Sequence, residues 1–284
     1  MRAQMQRMKL RLHALLAPAL AASTAFASLA PLATSSPEVT VRKLAYEHAG
    51  DAYAPVLLQR TDALTAKLPG LLMVPNWLGV TDSSIEKASK IAAMGYTVYI
   101  ADVYTATVRP KNGQEAGAAA SAVRADRPLM RSRTQAAFDH FRSLTADSGV
   151  PEGQYAAIGF CFGGGTVLEF ARAGAPLRAF VSFHGDLLSP TLADDSKNIT
   201  GRVLVLHGDI DPYVPPEDVN TWLSAMRTTS ADYQFISYSG AVHSFTDPTA
   251  KNPGQAEYNP VVAKRAFAHM HALLQEVFAD AAGR

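Results

Sequence analysis

The sequence is poor in cysteine and in net charge. Its 284 residues include one cysteine, so no internal disulfide can form and the fold must depend on packing of its apolar residues, 48% of the total. Lys and Arg (26) nearly balance Asp and Glu (25), which leaves no basic excess of the kind that binds nucleic acid. We therefore expect neither a disulfide-stabilised scaffold nor a nucleic-acid-binding protein.

Long hydrophobic runs are also scarce, and the main apolar stretch lies near the N-terminus. Positive residues there precede an apolar stretch at 12–22 and a small-x-small pattern at 25–27. This order is typical of a secretory signal peptide. We predict cleavage after Ala27, a periplasmic or secreted protein, and no stable membrane association afterwards. The alternative is an uncleaved anchor, which Pro18 and the small residues disfavour because spanning requires about 20 strongly apolar residues.

After the predicted signal peptide, residues 1–27, composition defines a tether and one domain. Residues 28–38 are rich in Ala, Ser and Pro, which predicts a flexible tether. Residues 39–284 show no internal repeat and no compositional break, so we predict a single domain and expect a monomer. Strand-like and helix-like segments alternate along it. This alternation predicts an α/β fold with a mostly parallel central sheet and helices on both faces.

Hydrophobic periodicity places the individual elements. An antiparallel pair is predicted to open the domain at 39–46 and 54–58. Further strands are predicted at 71–75, 97–101, 154–158, 178–183, 203–207 and 233–238, and helices at 82–94, 133–144, 162–172, 217–226 and 262–278. Residues 105–130 show only a short helix at 116–123 and no clear core role, so we expect a lid or pocket wall there.

The most informative motif is GFCFGGG at 159–165, directly after a buried apolar strand and before a helix. It resembles the nucleophile elbow of α/β-hydrolases, with Cys161 where serine usually stands. The glycines suit a sharp turn at which a Cβ would clash with neighbouring backbone. A lone cysteine is more often a buried, inert residue, but this glycine frame favours a catalytic thiol. Because exposed thiols oxidise outside the cytoplasm, we expect it in a recessed pocket.

A nucleophile at an elbow needs a base and an acid that orients the base. In α/β-hydrolases they follow in the order acid, then histidine, each in a loop after a strand. Asp211 lies in HGDIDPYVP after the predicted strand at 203–207, and His243 lies in GAVHSF after the last predicted strand. Asp209 is the alternative acid, but Asp211 lies deeper in the loop and is favoured.

Acyl transfer also needs N–H donors for the developing oxyanion. We expect one from the backbone of Phe162, just after the nucleophile at a helix N-terminus, and one from Trp77, after the predicted strand at 71–75. A helix N-terminus and a histidine also lower the pKa of a thiol from about 8.5. No spacing of His, Cys, Asp and Glu resembles a metal site, so we expect neither a metal nor a cofactor.

Residues beside these motifs are candidates for the substrate pocket. Trp77 and Phe160 are the strongest, because they flank motif residues. The other candidates are Asn76, Tyr104, His184, Tyr213, Phe245 and Tyr258. An equally open interpretation of His184 is a polar residue at a strand terminus. His207 is expected to hydrogen-bond at its own strand end.

Together these motifs resemble the dienelactone hydrolase family. The resemblance covers roughly residues 39–279 and depends on GFCFGGG, HGDIDPYVP, GAVHSF and VPNWLGV; AMGYTVYIADVY and VSFHGDL also look like family sequence. It implies cofactor-free cleavage of small-molecule esters or lactones. The cysteine, aspartate and histidine identified above would form the triad, and the reaction would pass through an acyl-thioester.

Two positions depart from the family pattern. A family Glu that helps to deprotonate the cysteine is replaced by Asn76, and an amide cannot take a proton. Two interpretations of Asn76 stay open: a hydrogen bond to the thiol or a substrate oxygen, or a residue that only holds the loop. Four residues after His243, the dienelactone enzymes have an Arg that binds the substrate carboxylate, whereas this chain has Asp247. A negative group repels a carboxylate. We therefore expect a substrate other than a dienelactone, unless Arg131 or Arg133 supplies a positive charge.

Two hypotheses of different class follow. The first is a cysteine-dependent ester or lactone hydrolase. The alternative, motivated by Asn76, is a catalytically weak α/β-hydrolase-fold protein that binds ligands or senses oxidants through its thiol. A nucleotide-binding loop at 159–165 is disfavoured because no Lys-Ser/Thr follows the glycines.

Overall fold

The computed structural model describes residues 37–279; the predicted signal peptide and most of the predicted tether lie outside the described residues. The strands are β1 (Val39–Lys43), β2 (Tyr46–His48), β3 (Asp51–Tyr53), β4 (Val56–Arg60), β5 (Gly70–Val74), β6 (Thr97–Ile100), β7 (Tyr155–Phe160), β8 (Ala179–Phe183), β9 (Arg202–Gly208), β10 (Tyr233–Tyr238), β11 (Lys251–Asn252) and β12 (Ala256–Glu257). The helices are α1 (Ala63–Ala66), α2 (Asp82–Ala93), α3 (Gly113–Ala125), α4 (Arg127–Ser143), α5 (Thr145–Ser148), α6 (Phe162–Arg172), α7 (Leu192–Asp195), α8 (Pro216–Met226) and α9 (Pro260–Ala279), with a 3₁₀ turn at Ser196–Asn198.

An eight-stranded sheet forms the centre, in the order β1-β4-β6-β5-β7-β8-β9-β10. The six strands from β6 to β10 in this order pair in parallel. Among the described strands of this sheet, β4 alone runs opposite to the others, and it pairs antiparallel with β1 and β6. The predicted mostly parallel sheet with an antiparallel opening pair is therefore confirmed.

Helices cover both faces of the sheet, so the central strands are buried on both sides. All five residues of β5 are buried, and successive side chains point to opposite faces. Leu72 joins the hydrophobic core beneath α4, α6 and α8, whereas Met73 joins the core beneath α2 and α9. This two-sided burial explains why the central strands are continuous apolar runs in the sequence rather than alternations of apolar and polar residues.

The segment at 105–130 is more helical than predicted. α3 begins after Asn112, whose side-chain oxygen accepts from the Glu115 N–H at 3.0 Å. α4 begins after Asp126, which accepts from the Leu129 N–H at 2.9 Å, six residues before the predicted start. Both are N-cap contacts of a usual kind. The wall expected there therefore consists of α3 and the first turns of α4.

None of the helices within residues 37–279 is both long enough and apolar enough to cross a membrane. Across the same residues, no group of three or more His, Cys, Asp or Glu side chains is arranged to hold a metal ion.

Candidate active site

Cys161 occupies a sharp turn between β7 and α6. Its φ of 55° and ψ of −121° are rare for a residue with a Cβ, and such conformations cost on the order of 1–3 kcal/mol each. Close packing of the turn accounts for the glycines around it. A Cβ on Gly159 would lie 2.0 Å from the Gly163 carbonyl oxygen, and a Cβ on Gly163 would lie 2.1 Å from that of Val74. The packing of this turn therefore directs the cysteine side chain into a cavity.

His243 and Asp211 lie beside the turn and are joined to each other. The His243 Nδ1 and Asp211 Oδ2 atoms are 2.8 Å apart, and both residues are buried. The other carboxylate oxygen of Asp211 accepts from the Tyr213 N–H at 2.9 Å. Asp209, the alternative acid, instead accepts from the Ser237 hydroxyl at 2.9 Å. The geometry therefore favours Asp211 as the partner of the imidazole.

The thiol and the imidazole perturb each other's titration. Burial raises the pKa of Cys161, but the charge and hydrogen bond of His243 and the Phe162 N–H outweigh it and lower the pKa below its usual value. Burial lowers the pKa of His243, yet Cys161 and Asp211 together raise it to about 10. These opposite shifts favour a thiolate–imidazolium pair at neutral pH.

The predicted oxyanion donors come from two segments, the start of α6 and the loop after β5. The Phe162 N–H belongs to the first turn of α6 and hydrogen-bonds the Cys161 sulfur. Trp77 follows β5, and its carbonyl accepts from the Tyr104 hydroxyl at 2.9 Å. Its ring faces α3, where a Cβ on Gly113 would lie 3.6 Å away. Trp77 is therefore held by Tyr104 and by its packing on α3, and it lines the same cavity as Cys161.

Asn76 shapes the same loop. Its side-chain oxygen accepts from the Leu78 N–H at 3.1 Å, and its amide nitrogen lies 3.5 Å from an Asp247 carboxylate oxygen. The amide thus stabilises a turn that a side chain without an acceptor would leave unsupported. This is the loop-holding role that was one of the two interpretations of Asn76.

A cavity of about 620 Å³ opens over Cys161 and His243. It contains three of the predicted pocket residues, Asn76, Trp77 and Tyr213. Phe160, His184 and Phe245 are buried behind its wall instead, each 2% exposed or less, which differs from the prediction that they line it. Of the weaker candidates, Tyr104 is buried beneath the Trp77 loop and Tyr258 lines a separate cavity of about 320 Å³.

Charges on the cavity wall are of both signs. Arg124, near the end of α3, pairs with Asp186 at 3.1 Å, and Lys251 and Asp247 also line the cavity. The residues suggested by sequence lie elsewhere. Arg131 pairs with Glu169 and Asp195, and Arg133 donates to the Tyr104 carbonyl and pairs with Asp51.

Arg124 and Asp186 were missed at the sequence level. A helix prediction that covered all of 113–125 would have placed Arg124 next to the helix face that buries Ala116, Ala120 and Val123. Asp186 is part of VSFHGDL, but nothing in that segment points to a cavity.

The fold and the elbow define a protein of the α/β-hydrolase class with cysteine at the nucleophile position. Residues 55–278 match the dienelactone hydrolase family, and the chain belongs to that family. It is accordingly a hydrolase that acts on ester or lactone bonds.

The chain is also similar to a curated protein and to two solved structures. Uncharacterized protein K02A2.1 of Caenorhabditis elegans is 33% identical over 158 residues, which cover 53% of this chain and 95% of that one. Two solved structures, m3DLH and the dienelactone hydrolase-like promiscuous phosphotriesterase P91 from metagenomic libraries, each share a TM-score of 0.77 and 35% identity with this chain. Both alignments cover 84% of this chain, with 99% and 98% of the respective partner.

Proposed function

We propose that the protein is a cofactor-free hydrolase that cleaves small carboxylic esters or lactones through Cys161, His243 and Asp211. The observation that carries the proposal is the hydrogen-bonded chain from the Asp211 carboxylate through the His243 imidazole to the Cys161 sulfur, at the floor of an open cavity. An N-terminal segment with the pattern of a secretory signal supports action outside the cytoplasm.

The reaction follows from this arrangement. The Cys161 thiolate attacks the carbonyl carbon, and the backbone N–H groups of Phe162 and Trp77 stabilise the resulting oxyanion. The His243 imidazolium gives its proton to the departing alkoxide, which leaves a thioester on Cys161. Neutral His243 then takes a proton from water, and the hydroxide attacks the thioester carbonyl. Expulsion of the thiolate releases the acid and restores the ion pair. Asp211 orients the imidazole throughout.

The wall of the cavity supports an uncharged substrate. Arg124 and Lys251 are offset by Asp186 and Asp247, and the Arg124 charge is already paired. Asp247 also stands where the dienelactone enzymes carry the Arg that binds a carboxylate. A neutral ester or lactone therefore fits better than a dienelactone.

The alternative function, ligand binding or thiol sensing without turnover, is favoured by one observation. Asn76 cannot accept the thiol proton, and its oxygen is already committed to the Leu78 N–H. The thiolate then depends on His243, the Phe162 N–H and nearby Arg124. Since these groups already lower the pKa of Cys161, hydrolysis is the better supported of the two.

Hydrolysis assays on the protein and on Cys161→Ala test the proposal. The panel comprises p-nitrophenyl acetate and butyrate, a simple lactone and a dienelactone, with a neutral phosphotriester added because one structural relative is named a promiscuous phosphotriesterase. We expect turnover of the neutral esters or the lactone, and its loss in Cys161→Ala. A matched control is His140→Asn, which alters a partly buried hydrogen bond between Tyr99 of β6 and His140 of α4. Equal rates in Cys161→Ala and the unchanged protein would overturn the cysteine mechanism.

A further inference from the structure

One buried titratable side chain beside Cys161 takes no part in the mechanism proposed above. His184 follows β8, is 2% exposed and has a φ of 40°. Its imidazole packs edge-on against the His243 ring with centroids 5.1 Å apart, and against Phe245 at 4.9 Å. It therefore lies between the elbow and the loop that carries the proposed base.

Both ring nitrogens of His184 have partners, and the partners belong to different loops. The Cys161 N–H donates to Nδ1 at 3.2 Å and is shared with the Phe183 carbonyl at 3.0 Å. The Nε2 atom lies 2.8 Å from the hydroxyl of Thr246, which is itself buried. Since Nδ1 accepts a hydrogen bond, the proton must sit on Nε2, which donates to Thr246.

The contacts require a neutral imidazole. A proton on Nδ1 would face the Cys161 N–H with a second N–H, and the hydrogen bond would be lost. Burial, together with the nearby His243, Lys87 and His207, holds the pKa of His184 well below its usual value. Burial and these neighbours therefore favour the neutral imidazole that the geometry needs.

Near His243, the other backbone hydrogen bonds of this loop are mainly within the segment between β10 and α9. The His243 N–H donates to the Gln255 carbonyl at 3.1 Å, and the His243 carbonyl accepts from the Glu257 N–H at 3.0 Å. Thr246 is three residues further along. Its contact with His184 joins this loop to the backbone of the cysteine itself.

We propose that His184 is a positioning residue that, through Thr246, fastens the Cys161 backbone to the loop of His243 and so sets the thiol–imidazole geometry. The effect of this link on turnover rests on the proposed function, whereas the link between the two loops does not. Small misplacements of reacting groups can cost up to about a hundredfold in rate. A fixed link between the two loops therefore keeps the Cys161 thiol and the His243 imidazole in place for the ion pair.

Thr246→Val removes the hydroxyl at nearly constant volume, and Thr246→Ser restores it. His184→Asn suits the backbone, because Asn tolerates positive φ. The Asn amide oxygen can still accept from the Cys161 N–H, but the Asn side chain is too short to reach the Thr246 hydroxyl. His140→Asn again serves as the remote control, since His140 makes a similar contact with the Tyr99 hydroxyl at 2.7 Å.

Two measurements are made on each protein. The chain has a single cysteine, so the pH dependence of iodoacetamide alkylation reports the Cys161 thiolate directly and needs no turnover. The second measurement is kcat and KM on p-nitrophenyl acetate. Circular dichroism and thermal melting establish that each variant is folded.

We expect Thr246→Val and His184→Asn to raise the alkylation midpoint by about half a pH unit. Both should lower kcat about tenfold with KM within about twofold, on the scale that misplacement produces. The double variant should lose no more than either single one, because both remove the same link. Thr246→Ser and His140→Asn should match the unchanged protein.

The possible outcomes separate the two proposals. Folded Thr246→Val with an unchanged alkylation midpoint, or additive losses in the double variant, would overturn the positioning role. Absence of turnover in the unchanged protein would overturn the proposed function instead, while the alkylation data would still decide the role of His184.

Discussion

The two sides of the cavity are built differently. The elbow side, defined as Cys161, Phe162, Asp211 and His243, is held by backbone turns and by hydrogen bonds within a packed layer. The wall side, defined as Asn76, Trp77, Arg124, Asp186, Tyr213 and Asp247, is more open to solvent; Trp77 is 39% exposed and Tyr213 is 55% exposed.

Burial decides what charges can do on each side. On the elbow side, Cys161 and an aspartate that is 3% exposed together raise the pKa of the His243 imidazole, because little water screens these interactions. On the wall side, charges of both signs are partly exposed, so they contribute more modestly and are screened by salt. In the proposed mechanism, the reacting side chains therefore lie on the elbow side, to which the wall side adds only the Trp77 N–H. The choice among substrates depends on the wall side.

Asp211→Asn should give the largest effect, because Asp211 is, with Cys161, one of the two groups that raise the pKa of His243. The pKa of His243 should fall from about 10. Less of Cys161 is then thiolate at neutral pH, so its alkylation midpoint should rise. We expect kcat/KM on p-nitrophenyl acetate to fall about 10³- to 10⁴-fold, as in other triads that lose the aspartate charge.

Asp209→Asn is the matched control. Asp209 lies in the same loop, but its carboxylate accepts from Ser237, so kcat/KM should change less than about twofold, as for most surface substitutions. Similar losses in the two variants would contradict the role of Asp211.

A pair of glycine substitutions tests the difference in packing. In Gly163→Ala the new Cβ would lie 2.1 Å from the Val74 carbonyl oxygen, so the elbow side must deform. We expect the free energy of unfolding to fall by about 3 kcal/mol, the upper part of the usual range for overpacking. In Gly117→Ala, on α3, the Cβ would lie 3.8 Å from the Trp77 ring, an ordinary contact.

Gly117→Ala should instead raise the free energy of unfolding by about 0.5–1 kcal/mol, because alanine favours helix. Urea unfolding of both variants measures the difference. Equal changes would show that the elbow side is no more tightly packed than the wall side.

The placement of the elbow side could be predicted from sequence because its residues lie at the carboxyl ends of parallel strands. Such ends meet at one edge of a sheet, so Cys161, Asp211 and His243 come together once the strands β7, β9 and β10 are identified. The order of the motifs along the chain then assigns one residue to each position. The glycines around Cys161 supplied the remaining evidence, because they indicate a sharp turn at that residue.

Side-chain direction on the wall side could not be predicted in the same way. At a strand end, a shift of one residue reverses the face to which a side chain points, and Phe160 turns toward Phe267 of α9, with ring centroids 6.1 Å apart. α3 is rich in small residues, so its periodicity was weak and Arg124 was missed. Its ion pair with Asp186 joins residues 62 positions apart, which no local pattern reveals.

Asp247→Asn should give the smallest effect and should depend on the substrate. The amide oxygen can still accept from the Thr249 N–H, as the carboxylate does at 2.9 Å, so the loop should keep its shape. Loss of the negative charge should raise kcat/KM for an anionic ester, such as the p-nitrophenyl half-ester of succinate, by about fivefold, or ~1 kcal/mol, the upper range for a solvent-screened charge. The neutral acetate ester should change less than twofold.

Salt provides the control for this last variant. The advantage of Asp247→Asn on the anionic ester should shrink between low salt and about 1 M, where the screening length is about 3 Å. A gain of equal size on both esters, or one that salt leaves unchanged, would place Asp247 with the chemistry of the elbow side. The separation of bond cleavage from substrate choice would then fail at this residue.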